Sequence, residues 1–161
     1  MYKIFMLLYG LSAILLIAAF YGMNYFNAPV KNDDFWGGNG HLAFFIPVVL
    51  MPFILYFLYG TIELSMRIAD RWLSQKKIVF GISLSLAYIL ATSLWTIRVA
   101  DRFRMYIVDT KDAYNKPAQF PMFNVFSNHL FFNPFTFILV VLVCFVVGAV
   151  WSLARKTTRK M

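Results

Sequence analysis

Charged residues are scarce in this chain of 161 residues. Only 14% of the sequence is charged, whereas 61% is hydrophobic and 19% is aromatic. A chain with so few polar groups cannot cover a surface that faces water, so the composition excludes an ordinary soluble domain. It predicts an all-α integral membrane protein instead. The length suits one membrane domain over residues 1–161, without room for a further folded domain.

Cysteine is nearly absent as well. The one cysteine, Cys144, lies inside an apolar run and has no second cysteine to pair with. This excludes an intramolecular disulfide framework and a cysteine-rich metal site. We therefore expect Cys144 to be a small packing or lipid-facing residue, and we expect neither a metal nor a cofactor.

Four segments are apolar over the roughly 20 residues that a helix needs to cross the hydrocarbon core. Each must be helical, because an open strand would leave backbone amides unpaired in lipid. The predicted spans are residues 4–25, 42–64, 78–97 and 135–154. The first follows Lys3, as in a secretory signal. Its apolar run is longer than a signal core, however, and no small-x-small cleavage site follows, so we interpret it as an uncleaved span.

Lysine and arginine are distributed unevenly between the two sides of this four-span arrangement. Nine of them fall on one side: Lys3, four in the connection between the second and third spans, and four in the C-terminal tail. The first connection, residues 26–41, has only Lys31. Because positive residues accumulate on the cytoplasmic side, both termini are predicted to be cytoplasmic. The loops 26–41 and 98–134 are then on the extracytoplasmic side of the cell membrane.

The second outer loop, residues 98–134, departs from this rule because it begins with three arginines. Apolar residues continue at helical spacing from Val99 to Ile107, so the third helix is predicted to extend beyond the membrane and to end before Pro117. The segment that follows is rich in phenylalanine and asparagine. It is too interrupted to span a bilayer and too apolar for water. We place it in the outer interface, with a short helix over residues 123–132.

Arg98 and Arg102 project from one face of this extended helix, at the level of the outer headgroups. Arginine binds a phosphate through two parallel hydrogen bonds while its aliphatic stem stays in lipid. The pair therefore predicts a site for an anionic lipid headgroup or for an acidic face of a partner protein. The alternative is interfacial snorkelling with local pairing to Asp101. Arg104 is predicted to point away from this face.

Both histidines map to the outer side. His41 ends the first connection, at the start of the second span, and His129 lies shortly before the fourth. Together with Asp33, Asp34 or Asp101, they have the residue types of a general acid–base set or a metal site. Two histidines alone specify neither, and interfacial histidines that hydrogen-bond the backbone are commoner.

Two classes of function remain open. The spans have no charged residue at their centres, which disfavours proton relays, ion pathways and secondary transport. The first class is a non-enzymatic subunit or accessory factor of a larger membrane complex. Its expected partners are membrane lipids and another membrane protein or a second copy, without nucleic acid. The second is an enzyme acting on a lipid or lipid-linked substrate at the outer leaflet, with His41, His129 and Asp101 as candidate catalytic residues. The small number of polar residues favours the first.

Overall fold

The computed structural model describes residues 2–26, 43, 45–110, 122–123 and 126–158. Within these residues every regular element is a helix. The elements in chain order are α1 (Tyr2–Tyr25), α2 (Phe45–Val49), α3 (Met51–Trp72), α4 (Gln75–Thr110), α5 (Asn128–Phe131) and α6 (Pro134–Thr158). The all-helical prediction is therefore confirmed for the described part of the chain.

Three of the helices are long and apolar enough to cross a bilayer: Lys3–Tyr25, Gln75–Thr110 and Pro134–Thr158. They contain the predicted spans 4–25, 78–97 and 135–154. In lipid an apolar segment can satisfy its backbone amides only by bonding to itself, which explains why these long runs are helical. These three helices are consistent with an integral membrane protein.

The segment that the sequence assigns to the second span is divided between α2 and α3. Leu50 alone separates the two helices, and it donates its backbone N–H to Ile46 O at 3.0 Å. Pro47 lies within α2 and Pro52 in the first turn of α3. Since proline lacks an N–H and cannot complete the helical ladder, the two prolines account for this interruption.

α3 continues to Trp72, two turns beyond the predicted end of the second span at residue 64. The added turns are polar, and the predicted helical pair between Glu63 and Arg67 is formed, with Nε and Oε1 2.7 Å apart. Both residues stay partly or fully exposed, so the pair contributes only a few tenths of a kcal/mol, about 0.3–0.5. An apolar count alone does not detect this polar extension.

The four long helices pack mainly in the order α1, α3, α6, α4. α3 therefore lies between α1 and α6, and α6 lies between α3 and α4. The short α5 contacts both α1 and α4, the two outer members of this row. We call the end of the helices that carries α5 the α5 end. We call the other end, where α3 is followed by α4 and where α6 finishes, the opposite end.

α3 and α6 make the most extensive contact, because small residues line both helices. At Gly148 of α6 an added Cβ would lie 2.5 Å from the carbonyl oxygen of Ile62. The buried small residues repeat every four positions along each helix: Thr61, Ser65 and Ala69 on α3, and Cys144, Gly148 and Ser152 on α6. Such spacing lets the two backbones approach closely, as is typical of helix contacts in membranes.

Candidate functional site

Asn133 fixes α5 to the start of α6. Its Oδ1 accepts hydrogen bonds from the backbone N–H groups of Phe135 at 2.9 Å and Thr136 at 3.1 Å. Its Nδ2 donates to Leu130 O in α5 at 2.8 Å. Asparagine before a helix and proline at its first position, here Pro134, both favour a helix start. The position of α5 is therefore coupled to that of α6.

Two further asparagines fix the same segment to the last turn of α1. Asn128 of α5 donates from Nδ2 to Met23 O at 3.0 Å. Asn24 of α1 donates in the reverse direction, from Nδ2 to Phe132 O. We call this pair of bonds the asparagine latch. Asn128 and Met23 are each only 1% exposed, so the first bond lies away from solvent.

Both latch asparagines use only half of their amide group. The Oδ1 atoms of Asn24 and Asn128 are buried and accept no hydrogen bond from any described residue. An unpartnered buried acceptor costs about 1–3 kcal/mol. Such an atom therefore favours any ligand or buried water that supplies a donor to it.

His129 connects α5 to α4. Its ring packs edge-on against the Phe103 ring, with 5.5 Å between the centroids. Burial lowers the pKa of His129 below its ordinary value of 6.5, and a hydrogen bond with the backbone of Phe126 opposes this effect. The imidazole is therefore mainly neutral at neutral pH, and its role in the structure is to pack and to bond the backbone.

Arg98 and Arg102 lie on α4 between the two contacts that mark the level of the α5 end. On one side Trp95 packs against Phe135 in the first turn of α6, with ring centroids 6.2 Å apart. On the other side Phe103 packs against α5. Both arginines are exposed, and neither forms an ion pair with another described residue. Within the described residues, no acidic side chain therefore occupies the predicted arginine pair.

Asp101 pairs with Arg104 and not with Arg98. Nη2 of Arg104 lies 2.8 Å from Oδ1 of Asp101. Arg104 is on the same face of α4 as the buried Ala100 and Ile107, and its side chain is only 22% exposed. Either arginine is three residues from Asp101, so spacing cannot distinguish them, and the burial of Arg104 decides the pairing. Arg104 does point away from the arginine pair, as predicted.

His41, Asp33 and Asp34 lie outside the described residues, so the predicted acid–base set or metal site stays a prediction. The structure places its two described members, His129 and Asp101, against Phe103 and Arg104 respectively. Of the short helix expected over residues 123–132, only α5 (Asn128–Phe131) is present among the described residues. The predicted helix end before Pro117 also lies outside the described residues.

The sequence alone does not predict the asparagine latch. Its residues are more than 100 positions apart, at separations of 108 and 105, so no local spacing indicates that they meet. One signal is present in the sequence. Asn24 stands near the end of an otherwise apolar span, where an amide needs a partner from a neighbouring segment.

Comparison of the chain with known protein families, curated proteins and solved structures finds no significant match. No activity or partner of another protein is therefore carried over to this chain. We therefore infer the function from the chain's own residues, above all from the arginines of α4.

Proposed function

We propose that this chain is a small four-span protein of the cell membrane and a non-enzymatic subunit or accessory factor of a larger membrane complex. The span beyond the three apolar helices consists of α2 and the apolar first part of α3. Positive residues cluster at the opposite end: Arg71, Lys76, Lys77, Arg155 and Lys156. By the positive-inside rule, that end and both termini are cytoplasmic, and the α5 end faces outward.

Aromatic residues beside arginines support a membrane interface at the opposite end. The guanidinium carbon of Arg71 lies 6.0 Å from the ring centroid of Trp72, and that of Arg155 lies 5.8 Å from the ring centroid of Trp151. All four residues are exposed. Tryptophan and arginine at one level are typical of the region where helices leave the hydrocarbon core.

The two exposed arginines of α4, which form no ion pair with another described residue, are the observation that carries the functional proposal. Arg98 and Arg102 are four residues apart and therefore on the same face, so one phosphate group can contact both guanidinium groups. Arg104 is committed to Asp101 and faces the packed side of α4. We propose that Arg98 and Arg102 bind the phosphate of an anionic lipid headgroup in the outer leaflet.

The length of α4 supports a position of this pair at headgroup level. α4 has 36 residues, so it is about 54 Å long, compared with about 30 Å for a hydrocarbon core. Trp95 marks the level at which α6 begins. Counted along α4 from Trp95, Arg98 is about 5 Å and Arg102 about 10 Å further out. Long arginine side chains reach the phosphate layer from both positions.

Lipid retention tests this site. We would purify the wild type and the Arg98→Gln/Arg102→Gln variant in mild detergent, add phosphatidylglycerol with excess phosphatidylcholine, and measure retained lipid by native mass spectrometry. Each charge-assisted contact is worth roughly 1.5–3 kcal/mol, so phosphatidylglycerol retention should fall more than about tenfold in the double variant. Equal retention would contradict the proposed site.

Lys76→Gln/Lys77→Gln is the matched control, because it removes the same net charge from the other end of the same helix. Its retention should equal that of the wild type, and Arg104→Gln should have a much smaller effect than the double variant. A general electrostatic attraction would instead respond to all of these variants alike and weaken with added salt. That result would also contradict a defined site.

Copurification tests the role as a subunit. In mild detergent we expect another membrane protein, or a second copy of the chain, to accompany the purified protein in a fixed ratio. A chain that purifies alone, turns over a lipid substrate and loses this activity on His129→Ala while remaining folded would contradict the non-enzymatic role.

A further inference from the structure

A groove opens between α1 and α6 at the α5 end. Its volume is about 370 Å³, within the size range of small-ligand sites. The walls are mainly aromatic and aliphatic, and they are made by Ile17, Phe20, Tyr21, Phe132, Phe137 and Ile138. The groove thus offers apolar surface on two helices that are long and apolar enough to cross a bilayer.

Aromatic contacts give the groove a fixed wall. The Phe20 ring packs edge-on against Phe132, with centroids 5.2 Å apart, and against Phe137, with centroids 5.5 Å apart. These contacts join α1 to the start of α6. The groove is therefore built into the fold, and it does not need a ligand to form.

Two asparagines, Asn24 and Asn133, add polar groups to this apolar groove. The Asn133 amide is used between α5 and α6. The Nδ2 of Asn24 is used in the asparagine latch, while its Oδ1 is buried and accepts no hydrogen bond from a described residue. None of the described residues that line the groove is charged. A charged headgroup would lose its hydration here without an opposite charge to replace it, whereas a neutral hydroxyl would satisfy Oδ1.

We propose that this groove binds a neutral lipid that carries a hydroxyl group next to its acyl chains, diacylglycerol being the simplest example. The acyl chain lies along Ile17, Phe20 and Ile138, and the hydroxyl donates to Oδ1 of Asn24. Tyr21 also lines the groove and is 73% exposed, so it can turn aside to admit the lipid and let the hydroxyl reach the buried Oδ1. This site is separate from Arg98 and Arg102 and does not depend on their function.

Photo-crosslinking tests the hydroxyl preference. The full chain in phosphatidylcholine nanodiscs would be labelled with a diacylglycerol that carries a diazirine on one acyl chain. Unlabelled diacylglycerol and triacylglycerol with the same acyl chains would then compete. Diacylglycerol should compete about five- to tenfold better, the difference that one net hydrogen bond makes. Equal competition would contradict the proposal and leave a buried water as the partner of Asn24.

Variants locate the site. Ile17→Trp fills the groove and should abolish labelling, whereas Ile14→Trp, an equally exposed position of α1 outside the groove wall, should retain it. Asn24→Leu should remove the preference for diacylglycerol over triacylglycerol. If Asn24→Leu does not fold, the competition experiment and the two isoleucine variants still test whether the lipid binds in the groove. Undiminished labelling of Ile17→Trp would overturn the proposal.

Discussion

The Ser152 hydroxyl of α6 donates a hydrogen bond to Oδ1 of Asp70 on α3, although the two residues are 82 positions apart in the sequence. One turn further along α6, Lys156 Nζ donates to the carbonyl oxygens of Ala69 and Leu73, each at 2.7 Å. The last carbonyls of a helix have no partner within the helix and are stabilised by a nearby cation. α6 therefore caps the end of α3.

Removing this cap should destabilise the protein. Lys156→Met retains most of the apolar stem but loses both bonds to carbonyl oxygens, so we expect the free energy of unfolding to fall by about 1–3 kcal/mol. Thermal unfolding in detergent, followed by circular dichroism, measures the effect. Lys77→Met is the control, because Lys77 is exposed at the same end. Equal unfolding midpoints for the two variants would show that the cap contributes nothing.

Gly148 should not tolerate a methyl group. Gly148→Ala places a Cβ against backbone atoms of α3, Ile62 O at 2.5 Å and Met66 N at 2.9 Å, and backbone cannot move aside cheaply. We expect a loss of about 1–3 kcal/mol in the free energy of unfolding. Gly10→Ala is the matched control, since an added Cβ there meets nothing within 4 Å. A Gly148→Ala variant as stable as Gly10→Ala would rule out the close helix contact.

Stability should depend on the protonation of His129. Because burial lowers its pKa in the folded state, the unfolded chain binds this proton more readily. Its contribution is fully present above the unfolded value of about 6.5 and is lost as the pH falls through the lower folded pKa. In a His41→Gln background, thermal unfolding at pH 8 and pH 5 should show a larger loss with His129 than with His129→Gln. Identical losses would contradict this role.

The proposed orientation predicts different labelling at the two ends of α4. In a Cys144→Ala background, a cysteine at Thr110 should react with a membrane-impermeant thiol reagent in intact cells. A cysteine at Gln75 should react only after lysis, because the positive-inside rule places that end in the cytoplasm. The introduced cysteines at Asn39 and Asn115 should behave as at Thr110. Labelling at Gln75 in intact cells would reverse the orientation.

The sequence predicts the long helices well because lipid leaves an apolar segment only one way to satisfy its backbone. The cores of α1, α4 and α6 follow directly from the apolar runs. The apolar spacing beyond Ile97 predicts that this helix continues toward Pro117, and α4 is confirmed as a helix as far as Thr110. A count of apolar residues does not predict the polar end of α3. The local feature of the sequence that indicates a helix there is the four-residue spacing of Glu63 and Arg67, which form an ion pair.

The candidate site is less predictable because it depends on burial. Arg98 and Arg104 are equally placed along the chain to pair with Asp101, and only the packed side of α4 selects Arg104. The asparagine latch depends on contacts over more than 100 residues. Single-chain periodicity indicates which face of a helix is polar, but it does not indicate which segment will cover that face.

The extensive contact between α3 and α6 has a consequence for biogenesis. α3 is made early, whereas α6 is made after the other described helices. Until then the small-residue face of α3, formed by Thr61, Ser65 and Ala69, has no Gly148 to pack against. The end of α3 also lacks Lys156. An unpacked helix face and a helix end without its cation make α3 less stable than it is in the assembled pair. A nascent chain that stops before α6 should therefore be short-lived, so completion of synthesis also decides survival in the membrane.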